Sequence, residues 1–98
     1  MLLKWTDLAE ADLEIIEAHI TEDKSAIVAI DVVMDIIDGA QLILPDHPRA
    51  GRQGRIKGTR ELPVNRLPFI IIYRLNNRVD NIEILRVLHD SQQWPTAR

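Results

Sequence analysis

The sequence predicts an α+β fold: an N-terminal strand, an antiparallel two-helix hairpin, then a three-stranded antiparallel meander completing one sheet. Three observations carry this. Apolar residues recur at helical spacing between residues 7 and 44. Pro45-Asp46-His47-Pro48 closes that stretch, because proline cannot continue a helix. The aliphatic run Phe69-Ile70-Ile71-Ile72-Tyr73 reads as a strand buried on both faces, and therefore central.

The elements follow in order. Leu2-Leu3-Lys4-Trp5 reads as a short edge strand. Thr6 or Asp7 caps the first helix, with Glu10 three residues beyond Asp7 in a capping-box arrangement. Asp7, Glu10 and Asp12 suit the positive end of the helix dipole. Ala9, Leu13, Ile16 and Ile20 line one face, and Thr21-Glu22-Asp23 reads as the break. A second helix runs from about Lys24 to Leu44, with Ile27, Ile30, Met34, Ile37 and Leu44 expected as its buried face. Its many β-branched residues make this a reading from periodicity rather than propensity. So short a connection gives a hairpin.

Residues 49–60, RAGRQGRIKGTR, contain no acid and read as a flexible basic loop punctuated by Gly51, Gly54 and Gly58. Arg60-Glu61-Leu62-Pro63-Val64 reads as a strand of irregular or edge character. Asn76-Asn77 suits a two-residue turn, since Asn tolerates positive φ. The last strand is expected from about Arg78 to His89, followed by a polar tail, Ser91–Arg98, that includes Trp94-Pro95.

The 98 residues are 46% apolar, 28% charged and 4% aromatic, which predicts one soluble domain over 1–98 with an aliphatic core. The absence of Cys excludes disulfides, thiolate zinc sites and a cysteine nucleophile, and suits a cytoplasmic location. No apolar run reaches the ~18 residues of a membrane-spanning helix. The opening turns acidic too early for a signal peptide. The net charge of −3 hides a split. Residues 1–48 carry two bases against eleven acids, a net of −9; residues 49–98 carry ten bases against four acids, a net of +6.

That split makes Arg49, Arg52, Arg55, Lys57 and Arg60 the first candidates for a contact surface. Their alternatives are a solvated loop balancing the acidic half, a phosphate or nucleic-acid contact, and a contact to an acidic protein. No GK[ST] phosphate loop is present. His19, His47 and His89 lack the short spacing of a metal site, and neither metal nor cofactor is expected. His89 beside Asp90 is either an acid–base pair or a structural strand end. Arg60, Arg66, Arg74 and Arg86 with Tyr73 would suit a metal-independent ribonuclease if they shared a face. Otherwise they form ordinary ion pairs with Glu61 and Glu83. Trp5 and Trp94 read as core or rim anchors.

HPRAGRQGRIKGTRELPVNRLPFIIIYRL, followed by ILRVLHDSQQWP, resembles the RelE/ParE superfamily of bacterial type II toxins. Trp5, Ala9, Asp12-Leu13 and Ile16 extend the resemblance to the N-terminus. It implies the same β-α-α-β-β-β order and a small toxin held in a hetero-oligomer by a cognate antitoxin, with no membrane partner. RelE-like members cut mRNA on the ribosome with basic residues on the middle strands and Arg, Tyr or His near the C-terminus. Here the corresponding strand positions hold Glu61 and Pro63, and the tail after His89 has no Tyr and no Arg before Arg98. Arg60, Arg66, Tyr73 and His89 remain as an incomplete ribonuclease set. ParE-like members poison DNA gyrase without such residues, and Gly58-Thr59-Arg60-Glu61-Leu62 and Arg86-Val87-Leu88-His89 look like that branch. The resemblance thus implies a non-enzymatic gyrase inhibitor. The alternatives are a RelE-like mRNA endonuclease acting with the ribosome, and an inactive remnant that only binds antitoxin. Candidate contacts to target or antitoxin are Arg49, Arg52, Arg55, Lys57, Arg60, Arg74, Arg86 and Trp94.

Overall fold

In a computed structural model, which describes residues 1–95, the chain forms a five-stranded sheet with a helical hairpin on one face. The elements are β1 (Leu2–Trp5), α1 (Asp7–Asp23), α2 (Ala26–Ile43), β2 (Arg52–Gln53), β3 (Arg60–Pro63), β4 (Phe69–Asn76) and β5 (Asn81–His89). Strand order is β1-β5-β4-β3-β2. β1 runs parallel to β5, and all other neighbours are antiparallel.

Thr6 starts α1. Its Oγ1 accepts the Ala9 N–H at 3.2 Å and donates to the Ile84 carbonyl at 2.8 Å, joining cap and sheet in one side chain. The break falls later than expected: α1 continues to Asp23, and Ser25 caps α2 by accepting the Val28 N–H at 3.2 Å. Ala9, Leu13, Ile16 and Ile20 face the core as the spacing predicts.

The buried face of α2 is a correction. Ala29, Ile36, Ala40 and Leu44 are fully buried, whereas Ile27, Ile30 and Met34 are 75%, 53% and 48% exposed. Asp31, Asp35 and Asp38 form a polar stripe at helical spacing, and the buried face lies opposite it, whereas Ile27, Ile30 and Met34 lie toward the aspartates. The buried stripe carries alanines, whose small side chains permit close approach.

β4 is central, as its aliphatic run requires. Phe69, Ile71 and Tyr73 point to the helices; Ile70 and Ile72 join Leu88 in a smaller cluster on the other face. Each fully buried Ile contributes about 1.5–3 kcal/mol. Two loop readings are corrected. β4 continues through Asn76, which pairs with Asn81, so the connection is the four residues 77–80 with Asp80 at φ 55°, not an Asn76-Asn77 turn. Residues 49–60 are not an open flexible loop: Arg52 and Gln53 form a fifth strand on Glu61 and Arg60. The last residues of the predicted tail, Thr96–Arg98, lie outside the described residues.

Candidate binding surface

The basic loop is held by two buried polar side chains. Tyr73 is fully buried under it, donating its hydroxyl to the Pro48 carbonyl at 2.8 Å and accepting the Gly51 N–H at 2.9 Å. A Cβ on Gly51 would stand 2.7 Å from the Tyr73 ring, so this approach requires glycine. Burial pushes the Tyr73 phenol above its ordinary 10.0, against smaller opposing effects of the Gly51 N–H and the Arg60 charge.

Glu61, 2% exposed, is the second. Its Oε2 accepts the Arg55 N–H at 3.0 Å and lies 3.6 Å from Arg55 Nε; its Oε1 accepts from Arg52 Nη2 at 3.3 Å. One carboxylate thus serves two guanidiniums. Beyond it the chain turns tightly: Gly54 N–H donates to the Thr59 carbonyl at 2.7 Å and the Thr59 hydroxyl to the Ile56 carbonyl at 2.6 Å. A Cβ on Gly54 would lie 2.1 Å from Thr59 Oγ1, and Gly58 has φ +84°.

The remaining cations of the loop converge. Arg49, Lys57 and Arg60, with Gln53, Asn77 and Leu75, line an open cleft of about 460 Å³. Arg60 is fixed there by donating Nη1 to the Gly51 carbonyl at 2.8 Å.

Arg86 and Trp94 meet beside Arg55 of the loop. Arg86 makes a bidentate pair with Asp12 of α1, at 2.8 and 2.9 Å, and Asp12 also accepts the Val87 N–H at 2.9 Å. Asp12 raises the Arg86 pKa, mainly through its hydrogen bonds. β1 pairs only with Asn81–Ile84, so Asp12 serves the part of β5 that β1 leaves free. The Arg86 guanidinium also stands 5.6 Å from the centre of the Trp94 ring, and Arg55 Nη1 donates to the Trp94 carbonyl at 3.1 Å. Trp94 packs on the Ile70, Ile72 and Leu88 cluster. Arg74 pairs with Glu83 and holds that carboxyl below its ordinary range, chiefly through the hydrogen bond.

The four ribonuclease candidates are not gathered at one point. Tyr73 pairs with Arg60 in the β3–β4 register, but its hydroxyl is engaged on the core side. His89 pairs with Phe69, four residues away along β4, or roughly 13 Å at strand spacing. Arg66 is exposed in the β3–β4 connection at φ 66°. His89 Nδ1 accepts the Ser91 N–H at 3.1 Å and lies 3.3 Å from Asp90 Oδ1. It lines an apolar hollow with His19, Ile15, Ile16, Ile20 and Phe69. Among the described residues no group of His, Asp and Glu is arranged to hold a metal ion, and no helix is long and apolar enough to cross a membrane.

Sequence reasoning treated Glu61 as an ordinary strand partner and gave Asp12 no role beyond the helix dipole. The readable signal was an acid inside an apolar pattern: Asp12 falls beside Ala9, Leu13 and Ile16, and Glu61 sits next to the buried Leu62.

A helical hairpin on a mixed sheet, with a basic loop pinned at its edge, is the architecture of a small bacterial toxin of the type II toxin-antitoxin class. The family model for the ParE toxin of the type II toxin-antitoxin system, parDE, matches residues 3–94, and the chain belongs to this family. A curated relative from Sinorhizobium fredii (strain NBRC 101917 / NGR234), named "Putative toxin Y4kP", is 41% identical over 93 residues, covering 95% of this chain and 92% of the relative. Among solved structures, a chain of the chromosomal ParDE toxin-antitoxin system from P. aeruginosa is similar with a TM-score of 0.82 and 32% identity, over 91% of this chain and 95% of that one. A chain of the RelBE2 toxin-antitoxin complex from Mycobacterium tuberculosis shares the fold with a TM-score of 0.64 at 22% identity, over 90% and 95% of the two chains.

Proposed function

We propose that this ParE-family toxin inhibits DNA gyrase, and so replication, by docking rather than by hydrolysis, and that a cognate antitoxin neutralises it by binding in a hetero-oligomer. The observation that carries the reading is the use of Tyr73. Its hydroxyl is committed to Pro48 and Gly51 beneath the loop, on the opposite face of β4 from Ile70 and Ile72, and about four strand residues from His89. Proton transfer to an RNA strand would need these groups within hydrogen-bond reach of one phosphate.

The residues offered for docking are Arg49, Arg52, Arg55, Lys57 and Arg60 on the loop, Arg74 and Arg86 on the strands, and Trp94. Membership of the ParE family and likeness to chains of two toxin-antitoxin systems support the antitoxin partner. The test is expression with and without a cognate antitoxin, combined with a supercoiling assay on purified gyrase. Growth arrest relieved by antitoxin, with loss of supercoiling, is expected. Arrest with normal supercoiling and cut ribosome-bound mRNA would replace it with the endonuclease reading; normal growth would leave an inactive antitoxin-binding protein.

A further inference from the structure

The basic loop divides its own charges. Arg52 and Arg55 share the buried Glu61 carboxylate. Arg49, Lys57 and Arg60 instead border the 460 Å³ cleft, and no carboxylate lines it or pairs with them among the described residues. We propose that this cleft is a phosphate-binding site that takes neighbouring phosphates of a nucleic-acid strand.

Charge matching favours phosphate. On β4 and β5 a single guanidinium answers a single carboxylate: Arg74 answers Glu83, and Arg86 answers Asp12. Three cations converging without an acid call for a ligand carrying at least two negative charges in a short span. Successive phosphodiesters supply that; an isolated peptide carboxylate does not. The donor types fit as well. Arg49 and Arg60 offer planar forks suited to phosphate oxygens, and Lys57 a mobile point charge. Gln53 and Asn77 add uncharged amide donors, and Leu75 gives one wall an apolar surface for a sugar edge.

The cleft is also rigid where it matters. Arg60 is anchored on the Gly51 carbonyl, and the Gly54–Thr59 bond closes the turn bearing Lys57. The exposed side chains of Arg49 and Lys57 are what binding has left to order. The site requires no gyrase, so its test is separable from the gyrase reading.

The experiment is fluorescence anisotropy of the purified chain with a labelled 12-base-pair DNA duplex over a salt series. Two to three phosphate contacts predict a log–log salt slope of about −2 to −3. Lys57→Ala should weaken binding about fivefold or more and reduce that slope by about 1. Lys24→Ala, which removes the same charge at the helical hairpin, should change neither. Inorganic pyrophosphate should compete, reporting the phosphate chemistry apart from the strand. Circular dichroism of each variant confirms the fold. The proposal is overturned by a salt-independent isotherm, by Lys57→Ala binding like the parent, or by a glutamate-rich peptide that binds more tightly than DNA.

Discussion

Asp12 of α1 and Arg86 of β5 form a two-bond ion pair, Nε to Oδ2 at 2.8 Å and Nη2 to Oδ1 at 2.9 Å, with the carboxylate 8% and the guanidinium 23% exposed. The same carboxylate accepts the Val87 N–H, so it ties the first helix to the last strand through both side chain and backbone. Residues 74 positions apart are joined where β1 stops pairing, which makes this contact a keystone between the hairpin and the sheet.

Removing the carboxylate leaves a partly buried cation and a buried N–H without partners. Asp12→Ala should therefore destabilise the fold by about 3 kcal/mol. Asp12→Asn keeps an acceptor for Val87 and should lose about half as much. Urea unfolding of both variants measures this, and a loss under about 0.5 kcal/mol for Asp12→Ala would contradict it.

Tyr73 governs the alkaline limit. Its folded pKa is raised, so its contribution is fully present below the ordinary 10.0 and declines as pH climbs through that value toward the folded one. Tyr73→Phe should cost about 1–2 kcal/mol at neutral pH, from the lost bonds to Pro48 and Gly51. The variant should also show a shallower stability loss above pH ~10. Thermal melts between pH 7 and 11 compare the two slopes.

Glu83 acts at the acidic end. Its pKa is lowered by Arg74, so the stability it brings is present above its ordinary 4.5 and is lost as pH falls through the depressed folded value. Arg74→Ala should flatten the acid limb of the stability profile while leaving its alkaline limb in place. An acid limb as steep as the parent's would show that the pair does not contribute.

The turn at Gly54 tolerates no side chain. Gly54→Ala sets a Cβ 2.1 Å from Thr59 Oγ1 and 3.0 Å from its backbone, so the loop must move. A loss of about 1–3 kcal/mol is expected, together with faster amide exchange at residues 54–59. Unchanged exchange would contradict the turn described.

The two stripes of α2 make opposite predictions. Ile36→Ala should cost about 2–5 kcal/mol, and Ile27→Ala no more than about 0.5. Equal losses would restore the face that periodicity alone suggests.

That contrast shows where the sequence was legible. α1 alternates acids with Ala9, Leu13, Ile16 and Ile20, so only one stripe can face inward, and it does. On α2 the signal was there but was missed: Asp31, Asp35 and Asp38 mark the outward stripe and so place Ala29, Ile36 and Ala40 inward, while the many other apolar residues, Ile27, Ile30 and Met34 among them, obscure it. The five aliphatic and aromatic residues of β4 announced a central strand, but Arg52–Gln53 is too short to show any alternation. The site was half visible: its cations stand out in residues 49–60, while the partition between Glu61-bound arginines and cleft cations depends on a fold that brings Glu61 under Arg52 and Arg55. Tyr73 was misleading, because a tyrosine among arginines suggests proton transfer until its hydroxyl is seen bound to Pro48 and Gly51.

The most direct test of the account sets one purified toxin preparation against two targets: supercoiling by gyrase, and cleavage of mRNA bound to ribosomes. The account predicts loss of supercoiling at micromolar toxin, restored by antitoxin, with the mRNA intact. Supercoiling that continues at that concentration while the mRNA is cut would contradict it.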